Sequence, residues 1–158
     1  MTTENSPSET GVIKKEVRIE ARPETVFPFF TDAARMLRWK GMDAALDAQV
    51  GGTYRVRITP KVVARGEYVE ITPFSRVVFT WGWEGDADCP PGATTVEVSL
   101  VPDGAATIVR LRHSGLDPEG AYQFAEGWDH YLPRLVIAAA GGDAGFDPWT
   151  VASDGARA

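Results

Sequence analysis

The chain has 158 residues, 44% of them hydrophobic and 24% charged, with a formal net charge of −6. That length and balance fit one globular domain with a single core. The negative charge argues against general nucleic-acid binding and against adhesion to an anionic membrane. The lone cysteine, Cys89, excludes an internal disulfide and suits a reducing cytoplasm.

Met1 to Thr10 is polar and has no signal-peptide core, so residues 1–11 read as a disordered leader. Val12–Ala21 alternates, with Ile13, Val17 and Ile19 on one face and Lys14, Glu16, Arg18 and Glu20 on the other. Arg22-Pro23-Glu24 opens a helix with proline at its first position. Val26, Phe27, Phe29, Phe30 and Ala33 give it an apolar stripe, and Pro28 should bend or shorten it. A second short helix runs from Ala33 to Arg38 and ends at Trp39, before Gly41.

Gly51-Gly52 then marks the start of a run of strands. Thr53–Thr59 turns Tyr54, Val56 and Ile58 inward and Arg55, Arg57 and Thr59 outward. Val62–Ile71 follows, interrupted at Gly66, where a bulge or a close backbone approach is expected. The stretch Val77-Val78-Phe79-Thr80-Trp81-Gly82-Trp83 places Val77, Phe79, Trp81 and Trp83 on one face. After the polar loop Glu84–Gly92, Thr94–Val101 turns Val96, Val98 and Leu100 inward. Ala106–His113 does the same with Thr107, Val109, Leu111 and His113. Between Glu119 and Ala139, Phe124, Trp128, Leu132, Leu135 and Ala139 recur at helical spacing, with Pro133 expected to kink the helix. The longest apolar run, Leu135 to Ala140, is far short of the roughly 20 residues a spanning helix needs.

The order is strand, two short helices, five antiparallel strands and a long helix, an α+β fold with a six-stranded sheet. Two tryptophans on one strand face need a broad apolar surface opposite, and the last helix supplies it. One domain is expected over residues 12–140. Gly141-Gly142 ends the helix, and Phe146, Pro148 and Trp149 are expected to make the 141–158 tail pack, either on its own domain or across a two-fold dimer interface.

These pieces resemble a known family. They include Pro23-Glu24-Thr25-Val26-Phe27, Trp39, Gly51-Gly52-Thr53-Tyr54, Gly66-Glu67-Tyr68-Val69-Glu70-Ile71 and Pro73 to Trp81. His113-Ser114-Gly115-Leu116, Gly127-Trp128-Asp129-His130-Tyr131-Leu132 and the tail from Gly141 to Trp149 complete the pattern. Their order and spacing resemble the START-related, Bet v 1-like (SRPBCC) superfamily, in its branch of activator of Hsp90 ATPase homologue 1-like proteins. The resemblance covers Ile13 to about Trp149. It implies a helix-grip fold with an apolar cavity between a curved sheet and the long helix. It does not imply a reaction, because members include ligand carriers, cyclases and co-chaperones.

On the residues alone, the rings of Trp39, Tyr54, Phe79, Trp81, Trp83, Phe124 and Trp128 either fill a core or line a ligand pocket. With the resemblance added, these seven join Val56, Val98, Leu111, His113 and Leu132 as the expected lining of a site for a hydrophobic small molecule. Trp39 and Trp149 could instead meet a partner chain. His113 is either a hydrogen-bonded core residue or an acid–base group, and the latter, with a cavity carboxylate or tyrosine, would make a cyclase- or hydrolase-type enzyme. His130 should face solvent, as should Glu126 and Asp129. Arg55, Arg57 and Arg65 should pair with carboxylates rather than bind phosphate. Two unpaired histidines and one cysteine do not make a zinc site. No phosphate loop, dinucleotide fingerprint or nucleophile–base arrangement is visible, so no catalytic residue, metal or cofactor is assigned. The expected function is binding of a hydrophobic small molecule by a cytoplasmic domain, with a homodimer as one expected assembly. The alternatives are the enzyme and a co-chaperone-like interaction module, which a single domain would have to perform alone.

Overall fold

Period-two alternation builds most of this molecule, and the strands it marks form one sheet. The computed structural model describes residues 11–151. The expected leader, apart from Gly11, and the tail beyond Val151 lie outside the described residues. The strands are β1 (Ile13–Ile19), β2 (Asp43–Leu46), β3 (Thr53–Thr59), β4 (Val62–Thr72), β5 (Arg76–Trp83), β6 (Thr94–Asp103) and β7 (Ala106–Ser114). They pair in the order β1-β7-β6-β5-β4-β3-β2, every neighbour antiparallel.

The sheet therefore has seven strands where the sequence reading expects six. The missed strand, β2, is four residues of Asp, Ala, Ala and Leu. It carries too few large side chains to show alternation, and it is specified by its pairing with β3, from Asp43 opposite Arg57 to Leu46 opposite Tyr54. The tryptophan strand β5 lies at the centre of the sheet. Its inward residues Val77, Phe79, Trp81 and Trp83 are all buried.

Along β3 and β4 one expectation changes and another is narrowed to one of its two alternatives. Thr59 is buried, not outward, because the β3–β4 register shifts between Arg57 and Thr59. Its Oγ1 accepts from the backbone N–H groups of Lys61 and Val62, which closes the turn. At Gly66 there is a close approach rather than a bulge: a Cβ there would lie 2.0 Å from the Thr80 carbonyl oxygen. The bulge comes two residues later, between Tyr68 and Glu70.

The segment after β1 is shortened by its prolines. Helix α1 (Pro23–Val26) passes into a 3-10 turn, Phe27–Phe30, with Pro28 near its start. Helix α2 (Ala33–Met36) is capped by the Asp32 carboxylate, which accepts from Arg35 N–H. Two side chains pin this layer to the core. Trp39 Nε1 donates to the Phe29 carbonyl at 3.0 Å, and the Tyr68 hydroxyl donates to the Phe30 carbonyl at 2.8 Å.

Helix α3 (Pro118–Ala139) lies against the inner face of the sheet and buries Phe124, Trp128, Leu132 and Leu135 there. Asp117 caps its start. Its end is a Schellman motif: Gly142 N–H reaches the Ile137 carbonyl, Gly141 N–H reaches Ala138, and Gly141 takes φ +97°. Beyond it the chain folds back and makes one last turn, Pro148–Val151. Among the described residues no helix is long and apolar enough to cross a membrane.

Candidate functional site

All twelve residues expected to line a ligand cavity are buried. The structure brings their rings together in one continuous cluster. Tyr54 stacks on Phe79 at 4.2 Å, Trp81 meets Trp128 at 6.2 Å and Trp83 at 5.6 Å, and Trp83 stacks on Phe124 at 5.9 Å. Val56, Val98, Leu111 and Leu132 belong to the same core. Between the sheet and the middle of α3, the rings occupy the space that a ligand would need.

His113 sits at 0% exposure on β7 with both ring nitrogens engaged. Trp128 Nε1–H donates to Nδ1 at 3.1 Å. Thr94 Oγ1 donates to the Trp81 carbonyl at 2.8 Å, so at 2.9 Å from Nε2 it is an acceptor, and Nε2 carries the proton. This fixes one neutral tautomer and leaves no nitrogen for a substrate. Burial, then the nearby Lys40 charge, pulls the imidazole down to about 3. His113 is thus a structural bridge between β5, β6 and α3.

The sequence reading missed Lys40. It follows Trp39, and its side chain enters the core at 1% exposure. Gly41, at φ +85°, is what allows this: a Cβ there would strike Val56 Cγ1, so the turn presses flat on β3 and the residue before it points inward. Lys40 Nζ lies over Trp128 at 4.2 Å, Trp81 at 4.4 Å, Tyr131 at 4.4 Å and Trp39 at 5.8 Å. These cation–π contacts are its surroundings, since Nζ has no hydrogen-bond partner. Burial lowers its pKa to about 7 against the opposing pull of Asp147. The only foretaste of this in the sequence is a lysine among aromatics at a helix end, which is a weak signal.

His130 is a correction. It does not face solvent freely: it is half-buried, with Nε2 at 2.8 Å from Asp147 Oδ1 and its ring stacked on Trp149 at 3.8 Å. The returning tail covers the helix face that helical spacing alone assigns to water. Glu126 and Asp129 are exposed, and Asp129 pairs with Lys15. Arg55 and Arg65 both bind Glu84, and Arg57 lies 3.8 Å from Asp43 and donates to the Pro60 carbonyl. No three of the described His, Cys, Asp and Glu residues converge on a metal position.

Space opens at one end of the cluster. A cavity of about 260 Å³ lies between the end of β5, the loop after it and the first turns of α3. Trp83 and Phe124 are the two expected site residues that line it, and Leu116, Thr94, Cys89 and Gln123 line it with three acidic residues, Asp86, Asp88 and Asp117. The loop is held in shape: Trp83 N–H donates to the Cys89 carbonyl, and Asp86 Oδ1 accepts from Asp88 and Cys89 N–H. Gly82 lets it close on β5, because a Cβ there would meet the Pro90 carbonyl oxygen. At Gly120 on α3, by contrast, a Cβ would have no contact nearer than Asp117 Cβ at 4.0 Å.

The family described as activator of Hsp90 ATPase homolog 1-like protein matches residues 20–140. An AHSA1-like protein from Rhizobium etli is 40% identical, with 87% of this chain and 86% of that one covered at a TM-score of 0.69. The Aha1 dimer from Colwellia psychrerythraea is similar at 20% identity, 83% and 97% coverage and a TM-score of 0.73. An Hsp90 activator from Plasmodium falciparum is similar at 23% identity, 78% and 92% coverage and a TM-score of 0.65. The last two share the fold alone. No curated protein matches this chain.

Proposed function

We propose, for a chain that belongs to the family of activator of Hsp90 ATPase homologue 1-like proteins, that it binds a small apolar molecule at the mouth of the grip rather than at its centre. One observation carries the reading: the cavity of about 260 Å³ beside the stacked Trp83–Phe124 pair, set against a centre filled by rings. Ligand pockets typically measure about 300–1,000 Å³, so this one suits a molecule of one or two rings. Trp83 and Phe124 supply the apolar surface, and Gln123 supplies an amide to orient a guest. No reaction is assigned, since the nitrogens of His113 are committed within the core.

The test uses 4-methylphenol as the probe and ligand-observed NMR as the readout. Saturable binding to the wild type, weakened at least about tenfold in Gly120→Leu, supports the mouth as the site; a tenfold change is 1.4 kcal/mol. Gly120 lines the cavity and a Cβ there meets nothing nearer than 4.0 Å, so leucine at this position is expected to extend into the space. Equal binding by the two proteins, or none by either, contradicts it.

A second reading rests on Phe146, which is 73% exposed on a tail whose other aromatic, Trp149, is docked. An exposed aromatic of this kind suits contact with a partner chain, here a second copy of this one. Sedimentation of the wild type and Phe146→Ser tests it: a dimer that the substitution dissociates supports the reading, and a monomer in both rejects it.

A further inference from the structure

The mouth cavity is one-sided in what it offers a guest. Its apolar wall is Trp83, Phe124 and Leu116, and no lysine, arginine or histidine lines it. Three carboxylates do, those of Asp86, Asp88 and Asp117. Among the described residues neither Asp88 nor Asp117 forms an ion pair. The start of α3 brings a partial positive charge of about half an elementary unit to the same wall, against three formal negative charges.

The hydrogen-bonding groups of the wall point the same way. Its donors are largely spent inside the protein. The Thr94 hydroxyl donates to the Trp81 carbonyl. Trp83 N–H donates to the Cys89 carbonyl, Ala93 N–H to that of Pro90, Leu116 N–H to that of Gly11 and Gly120 N–H to that of Asp117. The N–H groups of Asp88 and Cys89 both go to Asp86 Oδ1. Acceptors are left over: Asp117 Oδ1 takes one bond of 3.3 Å from Glu119 N–H, and the Asp88 carboxylate takes none among the described residues. A guest that only accepts finds the Gln123 amide and little else, whereas a guest that donates finds carboxylates.

We infer that the mouth takes an apolar amine, its hydrocarbon body against Trp83 and Phe124 and its protonated amino group facing the carboxylates of Asp86, Asp88 and Asp117. The inference rests on the mouth being a ligand site and adds the charge of the ligand. An ammonium carries three donors and no acceptor, the complement of a wall whose free groups accept. Hydrogen bonds between an ammonium and a carboxylate are about twice as strong as neutral ones. Asp88 and Asp117 are exposed, so the charged head keeps part of its water and avoids the cost of full burial. The same exposure leaves the attraction open to screening by salt.

Three probes of similar shape test it: 4-methylbenzylamine, a cation at neutral pH, neutral 4-methylphenol and anionic 4-methylbenzoate. Each is titrated into the full chain at pH 7 and followed by ligand-observed NMR. The amine should bind at least about tenfold tighter than the phenol, and the benzoate should bind weakest. The ratio of amine to phenol affinity should fall from about 10 mM to about 150 mM salt, as the screening length shortens from about 30 to about 8 Å. Asp88→Asn and Asp117→Asn should each reduce that ratio about threefold or more. Asparagine caps a helix as well as aspartate does, so the second substitution keeps the start of α3. Gly120→Leu should remove amine binding as it removes phenol binding. Phenol binding at the mouth with no preference for the amine overturns this inference and leaves the mouth as a site; no binding of any of the three contradicts both. An amine preference that survives both aspartate substitutions, or amine binding that survives Gly120→Leu, is general attraction to a chain of net charge −6 and also overturns the inference.

Discussion

At the centre of the grip, Trp81, Trp128 and Tyr131 close around Lys40 Nζ at 4.2 to 4.4 Å. One strand step away, Trp83 stacks on Phe124 beside open space. Both regions lie between β5 and α3 and both carry aromatic side chains from each. They differ in what closes them. The centre is covered by the turn after α2, which inserts Lys40, and by the returning tail, whose Trp149 meets Tyr131. The mouth is bounded by a loop held off by its own hydrogen bonds and by a helix turn that has glycine at position 120. A shared fold thus yields a sealed core and a usable pocket according to the side chains at a few positions, and the aromatic content of a region does not by itself say which it is.

The comparison is broken most severely at the centre. Trp128→Ala should lose roughly 3–5 kcal/mol in chemical denaturation, because it empties a buried site and strands Nδ1 of His113. Trp83→Ala should cost less, because the space beside it already exists; equal losses would mean the mouth is as tightly packed as the centre.

Lys40→Met tests the charge in the cage. At pH 6 the wild type buries an ammonium, and replacing it with an apolar side chain of similar length should stabilise the fold by about 1–4 kcal/mol. The sign with pH follows from linkage: the folded pKa of about 7 lies below the ordinary 10.5, so the unfolded chain holds more protons between them. Wild-type stability from this group rises from pH 7 toward 10, and the advantage of Lys40→Met should shrink over that window. An advantage that grows would contradict the buried amine.

His113 sets a smaller effect on the acid side. Its folded pKa of about 3 lies below the ordinary 6.5, so stability should fall as pH drops from 6.5 toward 3. His113→Gln removes this titration and should flatten that limb of the melting-temperature profile. The smallest effect on stability belongs to Gly120→Leu. It should leave the melting temperature unchanged or raise it, since glycine inside a helix costs up to about 1 kcal/mol, while removing probe binding. A lower melting temperature would show that the mouth has no room for the side chain.

The fold was legible where large apolar residues alternate or recur. β5, β6 and β7 and helix α3 announce themselves through Trp81, Val98, Leu111 and Trp128, all of which point where their spacing says. β2 was not legible, because Asp43-Ala44-Ala45-Leu46 has no contrast and is defined by its partner. Nor was the surroundings of His130: helical spacing places it away from Trp128, but a tail 17 residues further on covers it. Lys40 shows the limit most clearly. Charge marks a residue for the surface, and only the tight turn at Gly41 drives this one inward. Whether the interior holds a cavity or is filled depends on side-chain volumes summed across most of the elements, which no local pattern records.

The central claim is that a small molecule enters at the mouth and not at the centre. It is tested most directly by following the tryptophan indole signals during titration with 4-methylphenol. The account predicts that the Trp83 signal shifts saturably while those of Trp39, Trp81 and Trp128 stay in place. Saturable shifts of Trp81 and Trp128 with Trp83 unmoved would place the ligand inside the grip and contradict it.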